Sequence, residues 1–88
     1  MADAAPAPIP LAELPMGAAG RISAVAGGRE LSRRLLGLGL RVGSVIRVLH
    51  HRGAGLVVAC GDARVALGGG IVERLWVEPL PEDQAPLA

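Results

Sequence analysis

The sequence predicts a mainly β domain: a small, strongly bent barrel of about five short strands, with one short α-helix between the first two clear strands. Two observations predict it. Short apolar stretches alternate with glycine-bearing turns along most of the chain. The hydrophobic period also switches once from helical to strand spacing, within LSRRLLGLGLRVGSVIRV from Leu31 to Val48.

Each element has its own reason. Residues 1–10 are rich in Ala and Pro and read as a flexible leader. Leu11 to Leu14 suits a short turn or an edge strand, ended by Pro15, and Gly17 and Gly20 bracket a turn. Arg21 to Ala26 is a strand, stopped by Gly27-Gly28. Arg29 to Leu38 is the helix. Leu31, Leu35 and Leu38 fall at i, i+4 and i+7 on one stripe, which would plug an open end of the barrel. Glu30 precedes Arg34 by four residues and can pair with it on the outer face. Gly37 and Gly39 break the helix, and Gly39 suits the left-handed position that closes it.

From Ser44 to His51 the period becomes two: Val45, Arg47 and Leu49 alternate with Ser44, Ile46, Val48 and His50. Arg52-Gly53-Ala54-Gly55 is a hairpin turn into the continuous apolar strand Leu56 to Cys60. Gly61-Asp62 turns tightly into Ala63 to Leu67. Gly68-Gly69-Gly70 and Ile71 to Arg74 make a turn with room for one helical turn. Leu75 to Glu78 is the last strand, and Pro79 stops it. The domain is expected over residues 11–80, with a flexible tail over residues 81–88.

Composition narrows the function. Eighty-eight residues make one domain of modest burial. No apolar run approaches the roughly 20 residues that span a bilayer. MADAAPAPIP has neither the basic region nor the apolar core of a signal peptide, so a cytoplasmic protein is expected. The single cysteine, Cys60, excludes an internal disulfide and fits a reducing compartment. Nine arginines oppose eight acidic residues, for a net charge of +1. That balance argues against a dedicated nucleic-acid or anionic-membrane binder.

Few residues point to chemistry. His50-His51 is the only histidine pair, and imidazole suits zinc and iron. Neighbouring strand residues face opposite ways, so one ion cannot easily use both rings. Within one chain a site would draw on Cys60 and Asp62 of the facing hairpin. Two subunits could instead share an ion through exposed histidines. His50, His51 and Cys60 are therefore the metal candidates, and they are a thin set. They allow at most weak binding of a divalent metal, zinc or ferrous iron, and no cofactor is required. The simpler readings are a solvated hairpin end for the histidines and core packing for Cys60.

The glycine triplet lacks the Lys and Ser/Thr of a phosphate-binding loop and reads as a flexible turn. Arg29, Arg33, Arg34 and Arg41 cluster around the helix and corner. They suit an acidic or phosphate-bearing partner, against the plainer reading of a solvated helix face. Trp76 faces outward if Leu75 and Val77 face the core, and an outward Trp is a candidate contact anchor. Arg33, Arg34, Arg41 and Trp76 are thus the expected partner-binding residues. No carboxylate pair, no nucleophile–base pair and no metal motif is present, so the chain is not expected to be an enzyme.

Three segments together resemble a known family. PLAELPMGAAGRI (Pro10 to Ile22), RRLLGLGLRVGSVIRV (Arg33 to Val48) and VALGGGIVERLWVEP (Val65 to Pro79) match, in order and spacing, the ferrous iron transport protein A (FeoA) family. The likeness runs roughly from Leu11 to Leu80. It departs at Val42, where the family often has Pro, and at Gly68 to Gly70, where the family's turn is usually charged and helical. The resemblance implies an SH3-like barrel and a non-enzymatic cytosolic accessory of bacterial ferrous iron transport. The implied partner is the membrane ferrous iron transporter, bound at its cytosolic GTP-binding part and supported in uptake. Location would be cytoplasmic, with recruitment to the inner face of the membrane through that partner. High aliphatic content and an exposed apolar edge favour self-association.

Two alternatives stand beside this reading. One is an SH3-like regulatory domain of the kind carried by metal-dependent transcriptional repressors. Such a domain follows a DNA-binding domain, and a chain beginning at Met1 leaves no room for one. The other is a small metal-binding protein, which would need a fuller ligand set. Polyproline and single-stranded nucleic-acid recognition both need several aromatic side chains, and this chain has one.

Overall fold

The computed structural model describes residues 7–81. Its elements are β1 (Ile9–Pro10), a 3-10 turn (Leu11–Glu13), β2 (Ala19–Val25), α1 (Gly28–Gly37), β3 (Val45–Arg52), β4 (Gly55–Cys60), β5 (Ala63–Leu67), α2 (Gly69–Val72) and β6 (Leu75–Pro79). The strands form one open antiparallel sheet in the order β1-β6-β2-β3-β4-β5. The mainly β architecture and the helix after the first clear strand agree with the sequence.

The strand count is six rather than five. Ile9 pairs with Val77 and Pro10 with Trp76, so these two residues belong to the sheet and not to a loose leader. Pro10 sits on an edge strand, where its missing N–H breaks no ladder. The rest of the expected leader up to residue 6, and the expected tail from residue 82, lie outside the described residues.

Alternation builds the core. Ile46 and Val48 on β3, Leu56 and Val58 on β4, Val65 and Leu67 on β5, and Leu75 and Val77 on β6 all turn inward and are buried. Among the described residues no polar or charged side chain is buried with them. Leu11 and Leu14 close the core from the 3-10 turn. Gly20 does not bracket a turn. It lies buried inside β2, where a Cβ would stand 3.2 Å from the Glu78 carbonyl oxygen and from Leu14.

The end of α1 explains the plug. The Gly39 N–H bonds the Leu36 carbonyl, and the Leu40 N–H reaches back to the Leu35 carbonyl, both at 2.9 Å. With Gly39 at φ +87°, this is the Schellman closure of a helix. Its usual apolar contact links the residue after the glycine to one a turn earlier, here Leu40 and Leu35, and both are fully buried. Leu38 is the capping residue and is 41% exposed, so it leaves the predicted stripe. The plug is Leu35 with Leu40, and Leu31 packs at its margin.

Gly69 and Gly70 open one helical turn, α2, without charge, and Gly68 is its N-cap. Gly69 is needed by packing: a Cβ there would meet the Ala54 Cβ at 2.7 Å. α2 thus seats on the β3–β4 loop and sends Val72 into the core.

Candidate functional site

The corner after α1 is held from two sides. Ser44 donates its N–H to the Arg41 carbonyl at 2.9 Å, and the Arg41 N–H bonds the Ser44 hydroxyl at 3.1 Å. The Gly43 N–H bonds the Ile22 carbonyl at 2.8 Å, and the Ile22 N–H bonds the Ser44 carbonyl at 2.9 Å. These bonds fix residues 41–44 against β2. Val42 stands at the tip of the turn and is 58% exposed. Leu36 follows Leu35 by little more than a quarter turn of helix, rotates off the buried stripe and is 56% exposed.

Between them lies an apolar groove of about 210 Å³, lined by Val25, Ser32, Leu35, Leu36, Leu40, Arg41 and Val42. On the other flank of α1 lies a more polar depression, lined by Gly27, Glu30, Leu31, Arg34, Gly68, Gly70, Ile71 and Arg74. The predicted partner-binding residues are therefore not one patch. Arg41 edges the apolar groove, Arg34 edges the depression beside α2, and Arg33 is exposed on α1 and lines neither. Trp76 faces outward on β6, between Pro10 and Ala24 of the neighbouring strands. Its carbonyl accepts the Ser23 hydroxyl at 3.3 Å, and it lines neither groove. Sequence reasoning missed Val25, Leu36 and Val42. The signal was available: Leu36 lies off the helical stripe, and Val42 stands where the resembling family often has Pro.

The histidines take a different setting. The register shifts between Val48 and His50, and regular pairing resumes with His50 opposite Val57 and His51 opposite Leu56. Both imidazoles are exposed, and both line one shallow depression with Arg52 and Val57. Cys60 is not with them. It lies three residues beyond Val57, the partner of His50, or about 10 Å further along β4. Its Sγ stands 3.9 Å from the Gly39 carbonyl, at the opposite end of the hairpin, and it packs against the core. The set His50, His51 and Cys60 is therefore not assembled. Among the described residues no group of three or more His, Cys, Asp or Glu side chains is placed to hold a metal ion.

The FeoA domain family model matches residues 9–79. The chain belongs to the FeoA family. A solved FeoA, described as an iron uptake regulatory protein, is 31% identical, with a TM-score of 0.77 over 84% of this chain and 100% of that one. The FeoA of Stenotrophomonas maltophilia, solved with zinc, is 27% identical, with a TM-score of 0.63 over 76% of this chain and 86% of its own. It is described as a prokaryotic SH3 domain protein and put forward as a bacterial ferrous iron transport activating factor. A manganese-dependent transcriptional repressor is 26% identical, with a TM-score of 0.77 over 85% of this chain but 43% of its own. No curated protein sequence matches the chain. The SH3-like fold of FeoA is thus the fold of this chain, and FeoA domains are small accessory domains without catalytic chemistry of their own.

Proposed function

We propose that this FeoA domain is a cytoplasmic accessory of bacterial ferrous iron transport, acting by contact on the cytosolic GTP-binding part of the membrane iron transporter. One observation supports it most. The core closes with Leu35 and Leu40, yet the same helix and corner hold out Leu36, Leu38, Val42, Arg33, Arg34 and Arg41 to solvent. Folding does not require these residues, and arginine beside exposed aliphatic surface is a composition suited to binding a protein. The zinc-bound relative's description as a transport activating factor favours the same role. Among the described residues no helix is long and apolar enough to cross a membrane, so attachment through a partner is the economical route to the inner face.

Changing Arg33 and Arg34 together to Glu tests the reading, because both side chains are exposed and the fold should survive. The purified cytosolic part of the transporter should retain wild-type protein in a pull-down and lose most of the double variant. Equal retention of both would reject this face. A second reading rests on the likeness to the manganese-dependent repressor: a regulatory SH3-like domain within a DNA-binding assembly. It predicts retention by such a repressor and none by the transporter. A third, a small metal-binding protein, draws on the zinc complex of the Stenotrophomonas maltophilia relative, and its ligands here would be His50 and His51.

A further inference from the structure

Among the described residues five large hydrophobic side chains are well exposed, and three of them, Leu36, Leu38 and Val42, fall within seven positions of one another. The same region is cationic. Residues 28–44 hold four arginines against one glutamate, while the whole chain is nearly neutral. Neither feature serves the fold. The helix-closing contact uses Leu35 and Leu40, and the corner turn is closed by backbone bonds and by Ser44. What remains is a groove with apolar walls, Leu36 and Val42, over a floor of Val25 and Leu40, with Arg41 on its rim and Arg33 exposed on the same helix.

We propose that this groove receives an acidic, amphipathic segment of the partner protein, which seats an aliphatic side chain between Leu36 and Val42 and sets carboxylates against Arg41 and Arg33. The charge complement decides the occupant. A second copy docked groove to groove would bring Arg41 of one copy towards Arg41 of the other, and like charges across an interface disfavour that pairing. A neutral aliphatic segment would leave the Arg41 guanidinium at the rim desolvated without a partner. An acidic segment with one aliphatic anchor satisfies both the walls and the rim. The volume, about 210 Å³, suits one or two side chains rather than a whole helix face. This inference rests on the transporter reading above and specifies the chemistry of that contact.

The test uses ¹⁵N-labelled full chain, the purified cytosolic part of the transporter, and overlapping peptides spanning that part. The amides of Val25, Leu36 and Val42 should shift on binding. The peptide that competes should be acidic and leucine- or isoleucine-bearing. Its Asp and Glu changed to Asn and Gln should cost about tenfold in affinity, and added salt should weaken the parent peptide alone. Leu36→Ser with Val42→Ser should weaken binding by about tenfold or more while leaving the melt near wild type, since both side chains are exposed. Arg41→Glu should weaken it as well. Tight binding with shifts confined to other surfaces would overturn the groove and leave the transporter reading standing. No binding of the cytosolic part at all would overturn both. A dimer of the chain that Leu36→Ser dissolves would make a second copy the occupant and overturn the acidic-segment proposal.

Discussion

The α1–corner face and the β3–β4 hairpin tip hold most of the residues with a chemical reputation, and they differ in one respect. At the tip, His50, His51 and Arg52 project from the hairpin end into water, and among the described residues only Val57 lines their depression with them. At the corner, backbone bonds hold a turn against β2 while aliphatic and cationic side chains are left outside a core that is already closed. Metal-binding residue types are present where no ligand set is built. Ordinary Leu, Val and Arg are concentrated where a rigid surface is. The better guide to function here is side chains that folding does not explain, rather than residue type.

The sharpest way to break this contrast is within α1 itself. Leu35 is 1% exposed and Leu38 is 41% exposed. Leu35→Ala should cost about 2–5 kcal/mol in a denaturant melt, from lost burial and the cavity left behind. Leu38→Ala should stay within about 0.5 kcal/mol of wild type, as a surface change does. Similar losses at both positions would mean the plug is misassigned and that Leu38 is not free for a partner.

The glycine triplet offers a second contrast. Gly69→Ala should destabilise by about 1–3 kcal/mol, because the new methyl meets the Ala54 Cβ and the α2 seat must shift. Gly68 has φ −73°, and a methyl added there would meet nothing within 4 Å. Gly68→Ala should therefore stay near neutral, because the less flexible unfolded chain is offset by the poorer N-cap that Ala gives α2. Thermal melts of the two variants check both outcomes.

Metal binding should be the smallest effect. Calorimetric titration with zinc should show weak binding that disappears in His50→Ala, His51→Ala. It should persist in Cys60→Ser, because Cys60 lies at the far end of the hairpin. Tight binding that survives loss of both histidines would place the ligands elsewhere.

Much of the fold was legible because its signals are local. The switch of period at Gly43, the two-residue turns at Gly53-Ala54 and Gly61-Asp62, and the helix-closing role of Gly39 all follow from backbone geometry within a few residues. What was missed depends on partners distant in sequence. Ile9-Pro10 becomes a strand because β6 offers it an edge almost seventy residues later. Leu38 leaves the stripe because the Schellman closure hands its place to Leu40. Gly20 is a buried strand residue because Leu14 and β6 press on it. At the site, composition pointed to the arginines, and the outward turn of Trp76 followed from strand alternation beside Leu75 and Val77. The separation of those residues into different flanks did not, since it depends on how α1 sits between the corner and α2. The register shift between Val48 and His50 was equally invisible, because an alternating pattern carries no sign of it.

Ferrous iron uptake in cells lacking this gene sets the two regions against each other directly. Three versions restored from the same promoter suffice: wild type, Arg33→Glu with Arg34→Glu, and His50→Ala with His51→Ala, each confirmed to be folded and equally abundant. The contact account predicts that the histidine variant restores uptake like wild type and that the arginine variant does not. Full uptake with the arginine variant, together with failure of the histidine variant, would contradict it and move the function to the hairpin tip.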